Sequence, residues 1–351
     1  MKIETQLPLG NLDPGLRAAS GVLDIARVGE EARLAEALGY DGIVSEETKD
    51  DPFIALTLAA QATQRIGLAT GVAIAFPRAP AVTALAAWTL QRLSKGRFTL
   101  GLGSQVKGHI ERRYGMAWTP PGPWMRDYVG ALRAIWECWQ NGGTKLNFES
   151  AHYKLSLMVP LFAPPPIEHP HIPVQLAAVN PFMCQIAGEV ADGIRAHPVC
   201  TPRYIAEVML PAAAKGAAKA GRDFSRFEIA AMPLIATAPD KKTLEARVRD
   251  VRARIAFYAS TPTYLIAFES QGYGEVARNL QAYSRAQRWE EMPGFISDEM
   301  LDHYAVIATH DEIAGKLNER FGKVASHLDF AIPIGNDADK ETLGDLLKSL
   351  R

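Results

Sequence analysis

The chain has 351 residues, of which 48% are hydrophobic and 22% are charged, a composition typical of globular proteins rather than disordered ones. Its 38 Lys and Arg residues balance 39 Asp and Glu residues, so the positive surplus typical of nucleic-acid binders is missing. Apolar runs are too short for a membrane span or a signal peptide, and Cys138, Cys184 and Cys200 form no disulfide or metal motif. We therefore expect a cytoplasmic protein without nucleic-acid, membrane or metal partners.

Short apolar runs alternate with amphipathic patterns through the first hundred residues. The runs predict strands over residues 2–7, 41–45, 65–70 and 97–102. The patterns predict helices over residues 24–38, 52–63 and 79–93, with Gly39 where a C-cap glycine belongs. This alternation is typical of parallel strands joined by crossover helices.

The second half continues the alternation after a helical stretch over residues 124–140. An irregular segment follows over residues 142–170, and its three consecutive prolines favour a loop with a small hairpin. Further strands are predicted over residues 172–177, 192–196, 227–236 and 328–334, and helices over 181–190 and 202–220. Eight strands in this order predict an α/β fold, a (β/α)8 TIM barrel.

The stretch between the seventh and eighth predicted strands has about ninety residues, more than one crossover helix needs. Its pattern is mostly helical. We expect one domain over residues 1–351, with a helical insertion around residues 258–293 that forms a lid or a subunit contact.

Barrel enzymes place their sites at the carboxyl ends of the strands. Glu46 and Glu47 follow the second strand, where they could transfer protons or simply belong to the solvated cap of the helix that begins at Pro52. Gly71 follows the third strand, where a glycine indicates either close ligand approach or tight barrel packing.

Two further strand ends favour an anionic cofactor. Gly101 and Gly103 resemble part of a dinucleotide fingerprint whose third glycine is missing, and a polar turn with His109 and two arginines follows them. Asn180 and Pro181 occupy the N-cap and first position of a helix, whose amides can bind phosphate, although every helix needs a cap.

The fourth strand carries a resemblance to a known family. Residues 94–103, SKGRFTLGLG, resemble the fourth-strand signature of luciferase-like monooxygenases. Residues 104–115, SQVKGHIERRYG, resemble the subset described as deazaflavin-dependent oxidoreductases, and residues 47–53 and 75–80 are similar to the same subset. The resemblance covers nearly the whole chain and implies a barrel with an insertion, in which a flavin or deazaflavin lies across the strand ends.

The resemblance also implies roles for individual residues. A non-proline cis peptide after the third strand would be Gly71–Val72. Glu46, Glu47 and His109 become the catalytic candidates, and the identity of the proton donor stays open because some members have a histidine at the position of Glu47. The implied cofactor contacts are Gly71, Val72, Ala73, Gly103, Ser104, Gln105, His109, Arg112, Ala178, Val179, Asn180 and Pro181.

The implied activity is hydride transfer between the deazaflavin coenzyme F420 and an unidentified small organic substrate. The alternative is a reduced-FMN-dependent monooxygenase on the same barrel, in which Arg112 and the helix at Pro181 hold the phosphate. A cofactor-free lyase or hydrolase would need metal ligands or a nucleophile at the strand ends, and the sequence offers no convincing cluster. The superfamily further implies a homodimer. Trp118, Trp124, Tyr258 and Tyr264 hint at a hydrophobic or aromatic substrate, although core packing is the commoner role for such residues.

Overall fold

The computed structural model describes residues 1–10 and 22–351. The described strands are β1 (Lys2–Gln6), β2 (Gly42–Ser45), β3 (Gly67–Thr70), β4 (Ala73–Ile74), β5 (Phe98–Gly103), β6 (Phe148–Glu149), β7 (Lys154–Leu155), β8 (Val174–Ala178), β9 (Gly193–Ala196), β10 (Glu228–Ala231), β11 (Leu234–Ala238), β12 (Ala305–Thr309) and β13 (His327–Asp329).

The described helices surround these strands. They are α1 (Val28–Leu38), α2 (Pro52–Ala62), α3 (Pro80–Leu93), α4 (Lys107–Arg112), α5 (Pro121–Gln140), α6 (Pro181–Val190), α7 (Pro202–Tyr204), α8 (Leu210–Lys219), α9 (Lys241–Ala259), α10 (Leu265–Glu269), α11 (Gly274–Arg285), α12 (Asp298–Tyr304), α13 (His310–Phe321) and α14 (Asp337–Ser349). A π-helical turn, Ile205–Met209, joins α7 to α8. No described helix combines the length and apolar character that a membrane crossing requires.

A closed parallel sheet forms the centre of the molecule. The strands pair in the order β3, β2, β1, β13, β10, β9, β8 and β5, and β3 also pairs with β5, which closes the ring. β4 extends the third barrel position beyond residues 71–72 and pairs with the end of β5. The predicted (β/α)8 barrel is therefore confirmed, with all eight of its strands.

Local signals in the sequence account for several helix boundaries. The Asp51 side chain accepts a hydrogen bond of 2.9 Å from the amide of Phe53 at the start of α2, which has proline at its first position. Asn180 caps α6 in the same way through the amide of Met183. Gly39 ends α1 in the left-handed conformation that favours glycine. The caps at Gly39 and Asn180 were predicted from the sequence and are confirmed.

Two predictions about strands need correction. Residues 227–236 do not form one strand, because β10 ends at Ala231 and Pro233, which lacks an amide hydrogen, stands before β11. The new strand pairs outside the barrel with β12, which the sequence analysis missed. The eighth barrel strand ends at Asp329, well before residue 334.

The connection from β10 to β13 contains β11, β12 and helices α9 to α13. Residues 258–293 within it comprise the end of α9, short 3-10 turns, and helices α10 and α11. Tyr258, Thr263 and Tyr264 from this segment reach the cavity at the carboxyl ends of the barrel strands.

Helices α6 and α8 pack with their backbones in close contact. A Cβ atom at Gly216 would lie 1.9 Å from the carbonyl oxygen of Gln185, and a Cβ atom at Gly188 would lie 1.9 Å from the carbonyl oxygen of Ala213. Both partners are backbone atoms, so a side-chain movement cannot relieve the clash. The two glycines therefore set the distance between these helices.

We expect Gly216→Ala to destabilise the protein by roughly 1–3 kcal/mol, because the helices must separate to admit a methyl group. Gly315→Ala in α13 is the matched control, since a Cβ atom there meets no other atom within 4 Å. The control should be neutral or stabilising by up to about 1 kcal/mol, since alanine is the better helix former. Urea denaturation measures the free energy of unfolding of both variants. An equal change in the two variants would contradict the packing argument.

Candidate active site

A cavity of about 360 Å³ lies at the carboxyl ends of the barrel strands. Every barrel strand position contributes to its wall, because parallel strands bring all their carboxyl ends to one rim. We call it the central cavity, and its wall includes Gln6, Val44, Glu46, Gly71, Val72, Gly103, Ser104, Gln105, Ala178, Val179, Asn180, Arg195, His197, Met232 and Asp329.

The wall between β3 and β5 is tightly packed. The Gly71–Val72 peptide is cis, as the family resemblance implies. A Cβ atom at Gly103 would lie 2.5 Å from Cγ2 of Val72 and would clash with it. Glycine at this position therefore allows the Val72 side chain to pack in the cavity wall. Gly71, Val72 and Gly103 all line the cavity, whereas Ala73 is buried in the strand that follows and does not line it.

Two segments offer hydrogen-bond donors beside the cavity. Val179 and Asn180 line the cavity and directly precede the ten-residue helix α6. The first amides of this helix point toward its N-cap, Asn180. Ser104 and Gln105 line the cavity after β5, with Gln105 at a φ of 56°. Pro181 belongs to α6 but does not line the cavity.

The short helix α4 places two of the predicted residues away from the cavity wall. His109 and Arg112 are exposed to solvent, as are Lys107 and Arg113 beside them. None of these four side chains lines the central cavity, although α4 begins directly after the cavity residue Val106. The position of His109 therefore does not favour contact with the reacting atoms.

Glu47 does not line the central cavity and is held by a network of hydrogen bonds and ion pairs. Its carboxylate forms an ion pair with Arg78 and accepts hydrogen bonds from the amide of Ile74 at 2.8 Å and the hydroxyl of Tyr114 at 3.3 Å. Arg78 also pairs with Asp51 at 2.9 Å. With its oxygens satisfied and no place in the cavity wall, Glu47 stabilises the loop after β2. The expectation of a catalytic Glu47 is not supported by this geometry.

Glu4 and Arg195 form a buried ion pair within the barrel. Their side chains are 9% and 12% exposed, and Nη1 of Arg195 lies 3.0 Å from Oε2 of Glu4. Burial alone raises the pKa of Glu4, but Arg195, His327 and Lys2 together outweigh burial and hold the pKa below its usual range. Both side chains line the central cavity, so the positive charge of Arg195 is neutralised where a ligand would meet it.

Asp329 is a cavity residue that the sequence analysis did not select. It ends β13 and lies beside Gln6, which donates a hydrogen bond to its carboxyl group. Burial, together with the negative charges of Glu4 and Glu46, raises the pKa of Asp329 to about 7 against the lowering effect of the hydrogen bond from Gln6. An acid with a pKa near neutrality can donate or accept a proton under physiological conditions. The predicted strand over residues 328–334 placed Asp329 near its start rather than at its end, so the position of Asp329 at the rim could not be predicted.

An aromatic wall closes the side of the cavity formed by the long connection. The His197 ring centroid lies 4.0 Å from that of Tyr264 and 4.7 Å from that of Tyr258. Burial lowers the pKa of His197 to about 3, so the imidazole is neutral at physiological pH. Of the four aromatic residues that hinted at a substrate, Tyr258 and Tyr264 line the cavity, whereas Trp124 stacks on Phe76 outside it.

Residues 7–327 match the family model of luciferase-like monooxygenases. The chain is 42% identical over 327 residues to an uncharacterized protein of Mycobacterium tuberculosis, which covers 93% of this chain and 95% of that protein. It is 28% identical over 319 residues to the 5,10-methylenetetrahydromethanopterin reductase of Archaeoglobus fulgidus, which covers 88% and 90% of the two chains.

The fold is similar to the solved structure of the coenzyme F420 dependent tetrahydromethanopterin reductase from Methanopyrus kandleri. The TM-score is 0.75 at 20% sequence identity, and the match covers 99% of this chain and 98% of that one. The family model covers most of the barrel and most of the residues that line the central cavity, although Glu4, Gln6 and Asp329 lie outside the matched range. The chain therefore belongs to the luciferase-like monooxygenase family.

Proposed function

We propose that the protein is an oxidoreductase that uses the deazaflavin coenzyme F420 to transfer a hydride to or from a small organic substrate. The observation that carries the proposal is the composition of the central cavity wall. It contains most of the residues for which the resemblance implies cofactor contact, namely Gly71, Val72, Gly103, Ser104, Gln105, Ala178, Val179 and Asn180. A relative from Mycobacterium tuberculosis, 27% identical over 296 residues and matched to 80% of this chain, is named a putative coenzyme F420-dependent oxidoreductase.

The chemistry of the cavity wall fits a deazaflavin. A flat ring needs an apolar surface, which Val72 and Val44 provide next to Gly71 and Gly103. The phosphate of the coenzyme needs donors, and the first amides of α6 are suited to an anion. Its acidic tail needs cations at the rim, where α4 presents the exposed side chains Lys107, Arg112 and Arg113.

The bound coenzyme would supply the hydride, and the chain's own residues would bind, orient and protonate. Glu46 stays a candidate for the chemistry because it lines the cavity. Glu47 would hold the cavity wall through the amide of Ile74, and His109 would act on the coenzyme tail rather than on the reacting atoms. Tyr258, Thr263 and Tyr264 support a lid role for residues 258–293, since they cover one side of the cavity.

We also propose a homodimer formed through neighbouring helices α2 and α3. Their outer surfaces expose Ile54, Val82, Leu85 and Leu93, which we call the α2–α3 face. Val82 is 60% exposed and Leu85 49% exposed, and large apolar residues clustered on neighbouring helices favour a protein partner. This placement differs from the insertion, which was the first candidate for a subunit contact.

Fluorescence titration tests the choice of cofactor. We expect F420 to bind at least about tenfold more tightly than FMN, a difference of about 1.4 kcal/mol, because the α4 cations suit its longer acidic tail. Reversing the charge of Arg112 should narrow this gap, and Lys154→Glu on the β6–β7 hairpin is the control. Tighter binding of FMN would favour the monooxygenase alternative and contradict the proposal.

Light scattering at micromolar concentration tests the dimer. Wild-type protein should have twice the mass of one chain, and Leu85→Glu should yield monomers because a carboxylate is costly to bury without a partner. Leu157→Glu is the matched control, since Leu157 is 78% exposed and lies outside the α2–α3 face. A wild-type monomer, or an unchanged dimer in Leu85→Glu, would show that this face is not the interface.

A further inference from the structure

The charge on the cavity wall restricts which substrate can enter. Arg195 is neutralised by Glu4 at 3.0 Å, whereas Glu46 and Asp329 add acidic groups to the same wall. Among the described residues that line the central cavity, no other lysine or arginine is present. A substrate carrying a phosphate or a carboxylate would therefore lose its hydration next to acidic groups without gaining a cation. The cavity favours an uncharged substrate.

The aromatic wall of His197, Tyr258 and Tyr264 restricts the shape of the substrate. The rings of His197 and Tyr264 lie 4.0 Å apart at an interplanar angle of 31°, and Tyr258 meets His197 edge-on at 80°. Aromatic side chains attract other rings through offset-stacked and edge-to-face contacts. A flat, unsaturated molecule would gain most from this surface.

His197 also supplies a hydrogen-bond donor. Its Nδ1 accepts a hydrogen bond of 3.3 Å from the amide of Val199, so the neutral ring carries its proton on Nε2. In the described part of the chain no protein group accepts a hydrogen bond from that Nε2–H. The residue lines the cavity, where a ligand oxygen can accept this bond.

Asp329 is the second donor on the same wall. Gln6 fixes its carboxyl group from one side, and Gln6 is itself held by the sulfur of Met232 at 2.7 Å. The acidic neighbours Glu4 and Glu46 favour a proton on Asp329, opposed by Arg195, whose charge Glu4 neutralises. A neutral imidazole and a protonated carboxyl group both suit a neutral acceptor oxygen such as a carbonyl.

We propose that the central cavity binds an uncharged aromatic ketone, or the alcohol formed from it, against the aromatic wall, and that Asp329 exchanges the proton with the substrate oxygen. In the direction of reduction the carbonyl carbon would gain a hydride from the reduced deazaflavin, whose C5–H bond would break as the coenzyme is oxidised. The carbonyl π bond breaks, and the oxygen takes the proton of Asp329, which is left as a carboxylate and regains a proton from water. The substrate class deepens the proposed function and rests on it.

The substrate class is tested by binding, without turnover. Isothermal titration in the absence of coenzyme compares acetophenone with phenylglyoxylate, which keeps the ring and ketone but adds a carboxylate. We expect acetophenone to bind at least about tenfold more tightly. Tyr264→Leu should lose most of that affinity, whereas Tyr264→Phe should keep it. Equal or tighter binding of phenylglyoxylate would overturn the inference, as would full affinity in Tyr264→Leu.

The proton role of Asp329 is tested with Asp329→Asn. After F420 binding has been verified, acetophenone reduction should fall on the order of 100-fold, while the affinities for F420 and acetophenone are kept. Asp50→Asn is the control with wild-type turnover, since Asp50 does not line the central cavity. Wild-type turnover in Asp329→Asn, or acetophenone binding without reduction by the wild type, would overturn the role. Absence of F420 binding would instead contradict the proposed function.

Stability against pH gives a readout that needs no substrate. The pKa of Asp329 is near 7 in the folded protein and ordinarily 3.8, so the folded state retains this proton to higher pH. Stability is therefore lost as pH rises from about 4 to about 7. We expect the Tm of Asp329→Asn relative to wild type to rise by about 2 °C or more between pH 5 and pH 8. Asp345→Asn, an exposed control, should show no such change. A Tm difference between Asp329→Asn and wild type that stays constant from pH 5 to pH 8 would contradict the raised pKa of Asp329.

Discussion

Closure of the parallel barrel is the constraint on which the rest of the structure depends. β3 pairs with β5 on one side and β2 on the other, so that no strand of the ring has a free edge. All eight carboxyl ends meet at one rim, which brings Gln6 and Asp329 into hydrogen-bond contact although they are far apart in sequence. The residues that meet at this rim come from different strands, and the barrel topology brings them together.

The same closure forces polar groups in the barrel to satisfy one another. Glu4 and Arg195 pair in the wall of the central cavity, and Gln175 donates a hydrogen bond of 3.1 Å to Glu228. Removing one partner of such a pair leaves a buried charge, which is costly. The pairing also sets the character of the site, because it cancels the positive charge that an anionic substrate would require. Glu4 and Arg195 therefore both stabilise the barrel interior and restrict the charge of the substrate.

Periodicity predicted the barrel strands well, because each is a short apolar run that ends at a turn signal. It failed at residues 227–236, where Pro233 ends one strand and the apolar pattern continues into another. The cavity-lining glycines and the α6 cap could be predicted because family motifs mark them. Asp329 and His197 could not be grouped with them, since their proximity and burial arise only in the folded chain. The ion pair of Glu47 with Arg78 could not be predicted either, because Arg78 comes from a different loop.

The central claim is that one cavity holds the coenzyme and the substrate beside Asp329. A crystal structure of the protein soaked with F420 and acetophenone tests it most directly. We expect coenzyme density along Val72, Gly103 and the start of α6, with the ketone ring on Tyr264 and the ketone oxygen within hydrogen-bond distance of Asp329. Coenzyme density outside the central cavity, or a ketone oxygen directed away from Asp329, would contradict it.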